Sequence, residues 1–86
     1  ALRKQIDEID MSILEILAKR MRISREIGQY KKEHDMAILQ RKRYDEIISK
    51  RVADGKTMSM GEDFLNTIFE AIHAESVRQQ MEIMNK

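Results

Sequence analysis

The chain has 86 residues, too few for two independent hydrophobic cores, so it reads as a single domain spanning residues 1–86. Charged residues make up 36% of it, yet the net charge is only +1. The chain as a whole is therefore no polyanion binder, and any anion must be held by a local arrangement of charge. Cysteine is absent, which excludes disulfides and thiolate chemistry. No apolar run approaches the ~20 residues of a membrane span and no signal-peptide pattern opens the chain, so a soluble, cytoplasmic protein is expected.

With no proline, three glycines and 5% aromatics, the composition is that of long helices, and the expected class is all-α. The first helix is the clearest element. Apolar residues fall at Leu2, Ile6, Ile9, Ile13, Ile16, Ile23, Ile27 and Tyr30, in steps that alternate between four and three. That is a heptad seam, predicting a helix over about 2–32. At ~1.5 Å per residue it would be roughly 46 Å long. A compact globule of this size is only about 30 Å across. Two shorter helices cannot cover such a seam, so a second copy of the chain is expected to, in an intertwined homodimer.

After a turn at the polar His34-Asp35 pair, a short second helix is expected over about 39–53, facing Leu39, Ile47, Ile48 and Val52 inward. Asp54-Gly55 reads as its end, the glycine supplying a left-handed cap. Lys56 to Ser59 is the one polar loop. Ser59 with Glu62 three residues on reads as a capping box, starting a third helix near Met60. That helix runs to about Met84 through Phe64, Leu65, Ile68, Phe69, Ile72, Val77 and Ile83.

Function is to be sought where polar residues occupy apolar seams. A step of four from Ile16 lands on Arg20, and a step of three returns to Ile23. Arg20 could snorkel or pair with an acid of a partner helix. Lys31, three turns on and within about 20° of it, makes a second reading available. Two cations about 16 Å apart on one face suit opposite ends of a small elongated anion. Ser24 and the small Gly28 lie between them.

Helix three is interrupted in the same manner, its stripe through Leu65, Phe69 and Ile72 continuing onto Ser76 and Gln80. These are hydrogen-bonding neutrals at core positions, either a polar layer that fixes register or part of a site. Arg43 sits one turn before Ile47, at the rim of an apolar face. Arg3 lies about 100° around the helix from Arg20 and roughly 25 Å along it, so one rigid helix cannot bring both to one ligand. In a crossed dimer, Arg3 of one chain can approach Arg20 of the other. His34 and His73 have no partners at metal-ligand spacing and read as surface or rim histidines. The basic clusters Lys31-Lys32 and Arg41-Lys42-Arg43 lack interleaved aromatics, which argues against nucleic acid.

The run Leu2-Arg3-Lys4-Gln5-Ile6-Asp7-Glu8-Ile9-Asp10, then Arg20, then Ile27-Gly28-Gln29-Tyr30-Lys31, resembles the opening of the all-helical chorismate mutases. Glu75-Ser76-Val77-Arg78-Gln79-Gln80 resembles their closing signature. The resemblance covers nearly the whole chain, and it is the ordered set of motifs that is specific. It implies an intertwined three-helix homodimer that rearranges chorismate to prephenate in aromatic amino-acid biosynthesis.

By position, Arg20 and the partner's Arg3 would grip the substrate carboxylates. Lys31 and Gln80 would donate to the ether oxygen whose bond breaks, and Ser76 and Arg43 would orient the ring end. The family usually carries acids near the substrate hydroxyl where Gln40 and Tyr44 stand here, and a common proline where Ala37 stands. A Claisen rearrangement is pericyclic and needs no nucleophile or cofactor, so none is expected; it needs a held conformer and donors where charge develops. The resemblance leaves open an isochorismate-pyruvate lyase on the same fold, a non-catalytic dimeric module, and fusion to or association with another shikimate-pathway enzyme.

Overall fold

The computed structural model describes residues 1–86, and it is all-helical with three helices: α1 over Leu2–Glu33, α2 over Arg41–Lys56 and α3 over Glu62–Met84. α3 packs against both α1 and α2, which do not pack on each other. The molecule measures 49 × 25 × 14 Å, so it is only one helix layer deep in its thinnest direction. No helix is long and apolar enough to cross a membrane.

The helix exits show how this sequence manages without glycine at its turns. α1 ends with Asp35 in the left-handed region at φ 52°. The Asp35 N–H donates to Lys32 O at 3.5 Å and the Met36 N–H to Lys31 O at 2.8 Å, the two bonds of a Schellman closure. Aspartate tolerates that conformation better than most side chains.

The exit of α2 repeats the device with Ser59, at φ 66°. Here Ser59 N–H donates to Lys56 O at 3.3 Å and Met60 N–H to Gly55 O at 3.3 Å. Two expectations are thereby corrected. Gly55 is not the left-handed cap, because α2 continues through it to Lys56. A Cβ at Gly55 would lie 2.5 Å from Leu65 Cδ2, so this glycine lets α2 and α3 approach closely. Nor is Ser59 a capping box, since it closes the preceding turn while α3 begins at Glu62 with Gly61 as its N-cap. The other shift is at the start of α2, which opens at Arg41 with Gln40 as N-cap and leaves Leu39 exposed outside it.

What the chain lacks is a core. Eight of 86 residues are buried, and only Met21, Val52 and Leu65 of these are large hydrophobics. The heptad seam of α1 lies open along its length, from Leu2 at 78% exposure through Ile16 at 65% to Ile27 at 44%. Burial of apolar surface supplies the main drive to fold, at about 25 cal/mol per Å². Three buried hydrophobics cannot supply it for a chain of this length. The other face of α1 does find a partner. Gly28 brings it so close to α3 that a Cβ there would meet Gln80 Cγ at 3.1 Å, and this approach sets Gln80 against α1.

Candidate active site

Where α1 meets α3 the seam is joined by polar groups rather than hydrocarbon. Arg20 Nη1 donates to Ser76 Oγ at 2.8 Å. Gln80 Nε2 donates to Ser24 Oγ at 3.0 Å, and Ser24 Oγ to the Ser76 carbonyl at 3.4 Å. Lys31 Nζ donates to Gln80 Oε1 at 3.3 Å and to the Ile38 carbonyl at 2.8 Å, which ties the α1–α2 loop to the same place. Ser24, Ser76 and Gln80 are buried. Such groups tolerate burial because each has a partner.

Beside this junction is a cavity of about 280 Å³ between all three helices. Lys31, Gln40, Arg43, Tyr44, Ser76 and Gln80 line it. Its apolar walls come from Ile27, Ile38, Ile47 and Val77. Arg20 opens on an adjoining cavity that shares Ile27, Ser76 and Gln80 with the first. Seven of the eight residues singled out in the sequence therefore gather around two contiguous hollows. Arg3 does not: it stands exposed at the far end of α1 and lines neither. A larger hollow of about 540 Å³ near Leu17, Met21 and Ile72 contains none of the eight.

The site is electropositive and uncompensated. The chain's ion pairs are Lys50–Asp54, Lys56–Glu62, Arg78–Glu75 and Arg78–Glu82, all on outer surfaces. Arg20, Lys31 and Arg43 enter none of them. Burial lowers the pKa of Arg20, and the nearby Arg51 lowers it further. Burial likewise lowers that of Lys31. Both shifts say that the cations are held at a cost which an incoming anion would relieve. Arg20 nevertheless stays largely exposed in the single chain, and its guanidinium donates to Ser76 rather than to an acid.

Two polar residues at this place were not anticipated. Arg51 lies two turns beyond Arg43 and near enough to Arg20 to act on its charge. His73, read as a surface or rim histidine, instead lines the main cavity, half-buried and tilted by 39° against the Tyr44 ring at 4.0 Å. A signal was present, since His73 precedes Ser76 by three and Gln80 by seven, the spacing of one helix face. His34 is exposed, as a surface histidine should be.

A pocket of unpaired cations and amide donors, walled by hydrocarbon and without any lining carboxylate, is suited to an organic anion that needs holding. Comparison with known proteins agrees. Residues 2–81 match the family described as chorismate mutase type II. The chain belongs to that family. Among similar proteins is the T-protein of Enterobacter agglomerans, 28% identical over 88% of this chain and 20% of its own length. The bifunctional chorismate mutase/prephenate dehydratase of Buchnera aphidicola (subsp. Acyrthosiphon pisum) is 30% identical over 98% of the chain and 22% of its own. The 4-amino-4-deoxychorismate mutase of Streptomyces pristinaespiralis is 27% identical over 95% and 64%. The chain spans about a fifth of the length of the first two of these relatives.

Proposed function

We propose that the chain is a chorismate mutase, converting chorismate to prephenate in a site shared between two copies. The observation that carries this is the cavity itself: Lys31 and Arg43 with Ser76 and Gln80, set in apolar walls without a lining acid. In the rearrangement the ether C–O bond breaks as a new C–C bond forms, in one concerted step. The dianion must be folded into a chair-like conformer with its carbon termini close, which is a matter of positioning. Arg20 and the partner's Arg3 grip the carboxylates, while Arg43 and Ser76 orient the ring end. Negative charge grows on the ether oxygen as its bond lengthens. Lys31 Nζ and the Gln80 amide stand within 3.3 Å of each other, and both donate to that oxygen. Gln80 turns its oxygen to Lys31 and its nitrogen to Ser24, so the amide must turn for that nitrogen to reach the ether oxygen.

The intertwined homodimer belongs to the same proposal. The open seam of α1 supports it, because a second α1 laid across it would bury Leu2, Ile6, Ile9, Ile13 and Ile16 together. It also supplies the otherwise distant Arg3. The names of the relatives support a further part: the mutase unit works joined to, or beside, another enzyme of aromatic amino-acid biosynthesis.

The test is chorismate depletion with identification of products. Prephenate as the sole product is expected. Salicylate with pyruvate from isochorismate would assign the lyase reaction instead. Turnover of neither, with no rise in melting temperature on adding a chorismate analogue, would leave a non-catalytic helical module.

A further inference from the structure

The main cavity continues along α2. Arg43 and Ile47, which line it, also line a hollow of about 360 Å³ whose other walls are Glu46, Lys50 and Arg51. Arg51 follows Ile47 by one turn and Arg43 by two, so the three share one side of the helix. Arg20 stands on α1. The two helices both pack on α3 but not on each other, which leaves a cleft between them. Burial lowers the pKa of Arg20, and the charge of Arg51 on the far side of this cleft lowers it further. No acid relieves that repulsion. Neither arginine enters an ion pair, and Asp54, the acid nearest in sequence beyond Arg51, pairs with Lys50. Glu46 is the one carboxylate on the hollow, and it too is bonded to neither arginine. Arg20 donates only to the neutral Ser76, which leaves most of its five N–H donors free for a ligand.

We propose that Arg51 is a further substrate-binding residue, an outer guanidinium that closes from α2 onto the same carboxylate that Arg20 holds from α1. The proposal rests on the chorismate mutase reading above. A carboxylate has two oxygens and about four lone-pair sites, so it can take a second guanidinium beside the first. Set between the two arginines, it replaces their repulsion by attraction to both. Arg51 is exposed, as an arm that meets a dianion at the entrance must be. Its contribution falls on binding and not on the chemical step. The carboxylates keep their charge throughout the rearrangement, while the growing charge is on the ether oxygen. A contact to a carboxylate is therefore as strong in the bound substrate as in the transition state, and its loss raises KM with kcat little changed.

Steady-state kinetics of chorismate turnover by Arg51→Gln and Arg51→Glu test this. The control is Lys42→Gln, which removes an exposed cation of α2 that lines no cavity. Arg51→Gln should raise KM about threefold to tenfold, the scale of one exposed charged contact, with kcat within about twofold of the wild type. The difference in KM should shrink in about 1 M salt, which screens an exposed charge. Arg51→Glu should raise KM further, yet melt higher than the wild type without substrate, because it gives Arg20 an acid. Lys42→Gln should leave KM within about twofold. An unchanged KM in Arg51→Gln, or an equal rise in Lys42→Gln, would overturn the role of Arg51 while leaving the mutase reading standing. A rise in KM that salt does not diminish, or that comes with a lower melting temperature, would make Arg51 a structural residue and overturn it likewise. Failure of the wild type to turn over chorismate would overturn both readings.

Discussion

At Gln80 two requirements meet in one side chain. It is packed against Gly28 and bonded to Ser24, while the proposed mechanism also asks it to present a donor to the breaking ether bond. Gln80→Glu separates these, because the carboxyl keeps the shape and donates only when protonated. The variant should be active on the acid side and lose turnover as pH rises, since the carboxylate then faces growing negative charge. A pH profile of kcat checks this, and wild-type turnover at about pH 8 would take Gln80 out of the reaction. Lys31→Ala removes a charge as well as a donor. It should lower kcat on the order of 10²–10³ while changing KM much less, as expected for contacts that strengthen in the transition state. His73 carries a prediction for the unliganded protein. Its pKa is lowered in the fold, so the unfolded chain takes up its proton first as pH falls. The His73 contribution to stability is therefore full above about pH 6.5 and is lost as pH falls through the lower folded value. Melting temperatures between about pH 7 and 5 should fall less steeply for His73→Leu than for the wild type.

At the scale of the helices, the sequence made the seams legible and the turns much less so. Arg20, Ser76 and Gln80 stood out because each interrupts a hydrophobic period, which is visible in one dimension. His73 interrupts nothing: it falls between Ile72 and Ala74, and only the Tyr44 ring from another helix gives it a place. The two left-handed positions were hidden for a different reason. Glycine is the residue expected there, but Asp35 and Ser59 hold them, while Gly55 is required inside a helix by Leu65. Opposite effects on stability follow. Ser59→Gly should stabilise, by up to about 1 kcal/mol, because glycine adopts that backbone without a Cβ clash. Gly55→Ala should destabilise by about 1–3 kcal/mol, since the packed Leu65 methyls must move. Thermal or urea unfolding of the two variants reads both signs, and a stabilising Gly55→Ala would refute the close α2–α3 contact.

For the whole molecule, the length of the α1 seam pointed beyond a single chain, and the structure gives that argument its measure: three large buried hydrophobics and an apolar stripe left open from Leu2 to Ile27. Two features of the single chain bear on the proposed shared site. Arg20 is exposed and unpaired by any acid, and Arg3 stands a helix length away from the cavity that its sequence position suggests it serves. Both facts are explained if two copies cross so that each Arg3 enters the other's site. Neither Arg3→Ala nor Arg20→Ala alone should then retain much activity, although both should remain folded dimers, because each removes a cation that no acid balances. The most direct measurement is prephenate formation after mixing equal amounts of these two variants and allowing subunit exchange. In each mixed dimer one site carries both defects and the other neither, so activity should recover to about a quarter of the wild-type level. No recovery after exchange is confirmed would contradict a site shared between chains.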